Sequence, residues 1–479
     1  MQYLLCIVLL CVERGFHCKV RDFPALEGRQ KYRPFVAFII LKWYDEKVGA
    51  AGIFHAVSDD YSTILTSYRG NEMKHIFKPA DILLPQTAAT TQWCVVACDQ
   101  YTSEPAYWEA VKAAAGDSSS TYRMIYPECY LDTTNPEEYA AGINRTMERY
   151  LADGVFRELK DTYIYVERTL ANGALRRGVM MALDLEEYCY ESGSKSPIRA
   201  TEGTVLERIP PRVKIRRNAP LELPHIMILI DDRQKSVIEG IDKADLTPEY
   251  EGTLMQGGGS LRGFSLNVTA AAKLEAALDA LPVRDNLLFA VGDGNHSLAT
   301  AKACYEELKR TLSPEEAATH PARWALAEVV NLYDDSLQFE PIHRVVFDTN
   351  PEKLAAALRQ YYEVSPTPCA GHPITFVTGH EKKTVWVKNP PSNLAVGTLQ
   401  KFLDAVLSEI GGKTDYIHGD DVVGRLCAEH PDAMGFLLPT MEKSSLFETV
   451  AIDGALPRKT FSMGHACDKR FYMECRRIK

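Results

Sequence analysis

Along residues 287–308 the polarity pattern changes period once, and that change frames the most informative segment of the chain. Residues 287–291 form an unbroken apolar run, the pattern of a strand covered on both faces. From Leu298 onward apolar positions recur at helical spacing, so that Leu298, Ala301, Tyr305 and Leu308 share one face. Between the two, Gly292 and Gly294 flank Asp293 and permit a tight turn that residues with a Cβ would resist. The same reading predicts a helix from Pro136, capped by Asn135, with Tyr139, Ile143, Met147 and Tyr150 on its apolar face and Gly154 ending it. Runs 162–168 and 177–183 read as paired strands across the Asn172-Gly173 turn. Residues 93–97 read as a short strand, and 225–232 contain a buried one. After Pro341, strands at 343–347, 374–377, 385–387, 416–417 and 434–438 alternate with helices at 351–362, 398–410 and 420–429. The pattern predicts an α/β (α+β) protein built on a mixed sheet with flanking helices. It divides into an α/β domain at 73–330, which carries the turn, and a second α/β region at 331–479 packed on it.

Composition narrows the classes. With 46% hydrophobic and 25% charged residues in 479, a core of normal size can be buried. A net charge of −10 argues against general affinity for nucleic acid or an anionic membrane. The basic run at 208–217 reads as a local phosphate groove or as a solvated edge. Twelve cysteines include no CxxC pair and no zinc-like Cys/His spacing, which points to reduced thiols in a cytoplasmic protein. The apolar start MQYLLCIVLLCV has no positive residue before it and is too short to span a bilayer. Residues 1–72 read as an N-terminal extension outside the fold, with a natural domain start at Met73.

The turn carries the sharpest chemistry. It delivers Asp293, Asn295 and His296 to a strand's C-terminal end beside a helix N-terminus, where free amides and the helix dipole favour phosphate. Asp293 there can hold Mg²⁺ or take a hydroxyl proton, and His296 can bond a phosphate oxygen or serve as acid or base. The same residues also fit a capped turn in which Asp293 or Asn295 only satisfies backbone amides. Dehydrogenase, zinc-protease and serine-hydrolase fingerprints are absent from the sequence.

VGDGNHSLATA, at 291–301, resembles the DGHH-type motif of the bacterial family named domain of unknown function 1015. The resemblance extends through ADILLP (80–85), VVACDQYTSEPAYW (95–108), RATEGTVLERIPPRVKIR (199–216), GGSLRGF (258–264), EVVNLYDDSLQFEPIHRVVF (328–347) and LPRKTFSMGHACDKRFYMECR (456–476). It implies a nucleotide-site element similar to the ParB/sulfiredoxin-like superfamily, which includes partition proteins and kinases of free serine. In that group an acidic turn residue handles phosphate and metal, and a Glu elsewhere serves the substrate hydroxyl. Asp293, Gly294 and His296 match the motif, while Asn295 stands for the first His and Ser297 for the Arg that commonly follows. Gly292, Gly294, Asn295 and Ser297 would then cradle phosphate. Either another basic residue replaces the missing Arg, with Arg262 in the glycine-rich QGGGSLRG and Arg344 beside His343 as candidates, or the phosphotransfer reading does not apply. Glu202 is the candidate second carboxylate, with Asp99 another, although an exposed loop Glu is usually a solvated residue. The resemblance implies a Mg²⁺-dependent phosphotransferase using a nucleoside di- or triphosphate on a small hydroxyl metabolite such as serine. Its rival is a non-enzymatic, nucleotide-responsive binding protein.

Overall fold

The computed structural model describes residues 76–479 apart from 192, 204–208 and 458, together with the backbone but not the side chains of 209–211. The extension at 1–72 and the start at Met73 lie outside the described residues, as does part of the basic run 208–217.

The described chain builds two sheets. The larger has ten strands and draws on residues 77–331. Its main members are β1 (Ile164–Thr169), β2 (Leu175–Asp184), β3 (Ile198–Ala200), β4 (Met227–Ile230), β5 (Leu246–Thr253), β6 (Ser260–Leu266), β7 (Phe289–Asp293) and β8 (Trp324–Asn331). They lie in the order β5-β6-β1-β2-β8-β4-β7-β3. The sheet is mixed: β7 runs parallel to β3, and β8 parallel to β4, whereas β7 and β4 are antiparallel. The second sheet is antiparallel and comes after residue 338. It contains β9 (Phe339–Phe347), β10 (His372–Thr378), β11 (Glu381–Val387), β12 (Lys413–His418), β13 (Met434–Leu437) and β14 (Phe461–Met463). Helices α1 (Pro136–Ala152), α2 (Ile209–Asn218), α3 (Asn295–Lys309), α4 (Pro351–Tyr361), α5 (Ala395–Ile410) and α6 (Asp420–Glu429) flank the strands.

Local chemistry sets these elements where the sequence predicts them. Asn135 accepts the amides of Glu137 and Glu138 and caps α1, whose Ile143, Met147 and Tyr150 are buried. β1 and β2 pair as a hairpin over Asn172-Gly173, with Gly173 in the left-handed region at φ +85°. The expected strand at 93–97 is different. Thr90–Trp93 is a single helical turn, and Val96 makes one isolated bridge to Phe471. Its apolar run is buried because the C-terminal tail lies along it, with Ala97 bonding Arg470 and Tyr472 bonding Val95.

β7 is covered on both faces, as its continuous apolar pattern requires: Phe289, Ala290 and Val291 are fully buried. One of its neighbouring cores joins the two sheets, packing Met227, Leu229 and Ala290 with Phe339, Phe461 and Met463. No helix among the described residues is long and apolar enough to cross a membrane.

Candidate functional site

β7 ends at Asp293, Gly294 turns the chain at φ +78°, and α3 starts at Asn295. A Cβ on Gly294 would meet Ile226 at 3.0 Å, so both conformation and space demand glycine. Gly292 has another purpose. A Cβ there would meet Leu229 Cγ and Met463 Cε at 2.8 and 2.9 Å, so its bareness leaves room for these two side chains against β7.

Asp293 accepts the Gly294 amide at 3.0 Å through Oδ1, and its Oδ2 lies 3.3 Å from Lys469 Nζ. Asn295, buried in the first turn of α3, accepts the Thr201 amide at 3.3 Å. Thr201 in turn donates its hydroxyl to the Val291 carbonyl at 2.6 Å. Those two bonds tie the end of β3 to the end of β7 and bring Glu202 beside Asp293. Burial pushes the Glu202 carboxyl above its ordinary range. Asp293 adds to that rise, while Lys459, by charge and by its backbone amide, and Lys469 oppose it. Two carboxylates and two lysines therefore share one location at a helix N-terminus. The second sheet faces the same group. Burial lowers the pKa of His418, Lys459, His465 and Lys469 lower it further, and Glu340 works against them.

His296 occupies the first turn of α3, half-buried, with its carbonyl accepting the Thr300 hydroxyl at 2.7 Å. Ser297 Oγ lies 2.9 Å from His225 Nε2, and His225 Nδ1 lies 2.8 Å from Tyr472 Oη. Tyr472 Oη also accepts the Cys98 amide at 3.1 Å. Ser297 and His225 open on a cavity of about 400 Å³ whose other walls include Met124, Met147 and Ile215, with the paired Glu128 and Arg212 also lining it. Asp99 adjoins it. Burial opposes its ionisation, yet its pKa is lowered, chiefly by His225, then by the Gln100 amide group, Lys469 and Arg212.

Other expected residues are placed elsewhere. Arg262 pairs with Glu167 at 2.6 Å on β6, and four strands separate β6 from β7, so it does not reach the turn. The glycine run before it is a tight hairpin. Gly259 sits at φ +83° against the Thr169 carbonyl, and the Gly258 carbonyl accepts from the buried Arg168. His343 donates to Asp420 at 2.8 Å and accepts the Leu438 amide at 3.1 Å, holding β9 to α6 and the end of β13. Arg344 is buried and donates to the Lys459 carbonyl at 2.9 Å, which makes it a support for the loop that carries Lys459. Sequence reasoning missed Lys459, Lys469, His225 and Tyr472. The signal for three of them was the resemblance over 456–476, which named the segment without showing where it packs.

Among the described residues no three His, Cys, Asp or Glu side chains converge as a metal cage. Magnesium bound mainly by phosphate oxygens and water needs only one or two carboxylates, and Asp293 at the end of β7 is a carboxylate that could supply one.

A family model described as protein of unknown function (DUF1015) matches residues 77–406. No curated protein matches the chain. Among solved structures, a free serine kinase in complex with AMP is 11% identical, with 61% of this chain and 90% of that chain covered and a TM-score of 0.36. A conserved hypothetical protein from Pyrococcus furiosus is 10% identical, covering 63% and 95%, at 0.34. SbnI with a C-terminal truncation, from Staphylococcus aureus, is 10% identical, covering 60% and 82%, at 0.33. Similarity at this level carries neither a ligand nor a residue role over to this chain.

Proposed function

The chain belongs to the DUF1015 family of proteins of unknown function, and from the geometry of its site we propose that it is a nucleotide-using phosphotransferase. The acceptor would be a small hydroxyl metabolite, free serine being the first to test. The observation that carries this reading is the convergence of Lys469 and Lys459 on Asp293 and Glu202 at the start of α3. The cationic partner that Ser297 does not supply comes from the C-terminal segment instead.

The roles follow from the chemistry. The first amides of α3 have no carbonyl partner within the helix and suit a phosphate oxygen. Lys469 and Lys459 would neutralise phosphate charge. Phosphoryl transfer asks mainly for positioning and charge stabilisation, which such a constellation offers. Glu202, whose carboxyl burial pushes above its ordinary range, would take the acceptor's hydroxyl proton, since a raised pKa makes a carboxylate a stronger base. Asp293, with Glu202 beside it, would hold Mg²⁺, which when bound offsets charge on the phosphates. The cytoplasm, where such substrates occur, is the proposed location.

The test is incubation with a γ-labelled nucleoside triphosphate, Mg²⁺ and a panel of small alcohols that includes serine. Wild type should form a labelled phosphomonoester and Asp293→Asn should not. Saturable nucleotide binding with no transfer to any acceptor would replace this reading with that of a nucleotide-responsive binding protein.

A further inference from the structure

Ser297, His225 and Tyr472 form a line of hydrogen bonds that the phosphate site as described does not use. Ser297 Oγ and His225 Nε2 are 2.9 Å apart, and Tyr472 Oη holds the other ring nitrogen at 2.8 Å. Tyr472 is itself fixed by the Cys98 amide. A hydroxyl within bonding distance of an imidazole whose far nitrogen is held by a third group is the arrangement of an activated nucleophile. His225 is only 7% exposed, so the ring has little freedom to leave it. Asp99 lies within electrostatic reach of His225, which of the surrounding groups does most to favour its carboxylate against burial, and that carboxylate would offset the charge the ring gains with the serine proton. Ser297 also lines the 400 Å³ cavity, which gives the hydroxyl a ligand-sized space with a largely apolar wall. Lys469 links this line to the other carboxylates, because its charge acts on Asp99 as well as on Asp293 and Glu202.

We propose that Ser297 is the first phosphoryl acceptor of the site, forming a phosphoserine from a nucleoside triphosphate whose nucleoside occupies the cavity. The proposal rests on the nucleotide-using function above. In the step, a bond forms between Ser297 Oγ and the γ-phosphorus while the bond from that phosphorus to the β–γ bridging oxygen breaks. The serine proton passes to His225 Nε2. The nucleoside diphosphate leaves with the electron pair of the broken bond, its charge offset by Lys469. In the return step the acceptor's oxygen attacks the phosphoserine, the acceptor's proton goes to Glu202, and Ser297 Oγ takes its proton back from His225.

Two measurements on the full chain test this. A fluorophosphonate probe reports the nucleophile without any nucleotide, and a γ-labelled nucleoside triphosphate, quenched and mapped by peptide mass spectrometry, reports the phosphoserine. Both should label Ser297, and Ser297→Ala should lose both labels. His225→Gln should slow probe labelling by about a hundredfold, the usual scale for a lost general base. Tyr472→Phe, which keeps the ring's packing but takes the shared oxygen from the Cys98 amide and His225 Nδ1, should slow it about tenfold when assayed well below its own melting temperature, a loss well within the contribution of a positioned proton-transfer group. A purely structural relay would show no rate effect. Probe labelling with nucleotide binding but no phosphoserine overturns the proposal and leaves the nucleotide reading standing. Absence of nucleotide binding overturns both. Absence of probe labelling, or equal labelling of Ser297→Ala, overturns the nucleophile alone.

Discussion

The side-chain oxygen of Asn295 accepts the amide of Thr201 at 3.3 Å, and this bond holds the end of β3, and with it Glu202, against the turn at Asp293. Asn295 thus fixes where the chain places Glu202. Thr201 is almost fully buried, so without Asn295 its amide would be left unsatisfied. Asn295→Ala should cost about 1–3 kcal/mol in denaturant unfolding, the usual penalty for an orphaned buried donor. Phosphoryl transfer should fall by more than nucleotide affinity does, because Glu202 loses its placement while the start of α3 remains. Equal losses of both would detach Asn295 from Glu202.

Glu202 makes a prediction of the opposite sign for stability. Burial raises its folded-state pKa above the unfolded value, so ionisation works against the fold. The folded chain then binds more protons than the unfolded chain in the window between the two values. Stability falls as pH rises through that window, and the penalty is complete above the folded pKa. Glu202→Gln should melt higher than wild type at neutral pH, and the difference should vanish below about pH 4, where the unfolded carboxyl is also protonated. It should also abolish transfer. A lower melting temperature at neutral pH would place the carboxylate among the stabilising charges instead.

His343 sets a separate acid sensitivity in the second sheet. Burial lowers its pKa, Asp420 opposes the shift, and Arg344 and His418 add to it. The unfolded ring binds more protons below about pH 6.5, so stability is lost as pH falls through that value. His343→Gln should reduce the slope of melting temperature against pH between 5 and 7. It should not flatten it, since His320, His372 and His418 shift the same way. An unchanged slope would contradict this assignment.

Much of the fold is legible because its cause is local. The capped helix at Asn135, the hairpin at Gly173 and the apolar β7 are each written within a few residues. Residues 93–97 misread as a strand because an apolar run does not say what covers it, and here the cover is a chain segment near residue 471. The site divides in the same way. Asp293 and Asn295 are visible because one turn holds them, whereas Lys469 meets Asp293 only through tertiary packing. Arg262 misleads for a related reason. A glycine run reads locally as a phosphate loop, but at Gly259 the glycine serves a close approach to the Thr169 carbonyl.

Lys469 and the start of α3 should bind a nucleotide's phosphates, and calorimetric titration of the full chain with Mg²⁺ and a nucleoside diphosphate measures that binding. Lys469 and Asp293 are both largely buried, at 14% and 20% side-chain exposure, so the lysine charge acts with little solvent screening. Wild type should bind saturably. Lys469→Met should bind about ten- to a hundredfold more weakly, as expected for losing a hydrogen bond to a charged group, with its fold intact by circular dichroism. No binding by wild type, or equal binding by a folded Lys469→Met, would contradict the account.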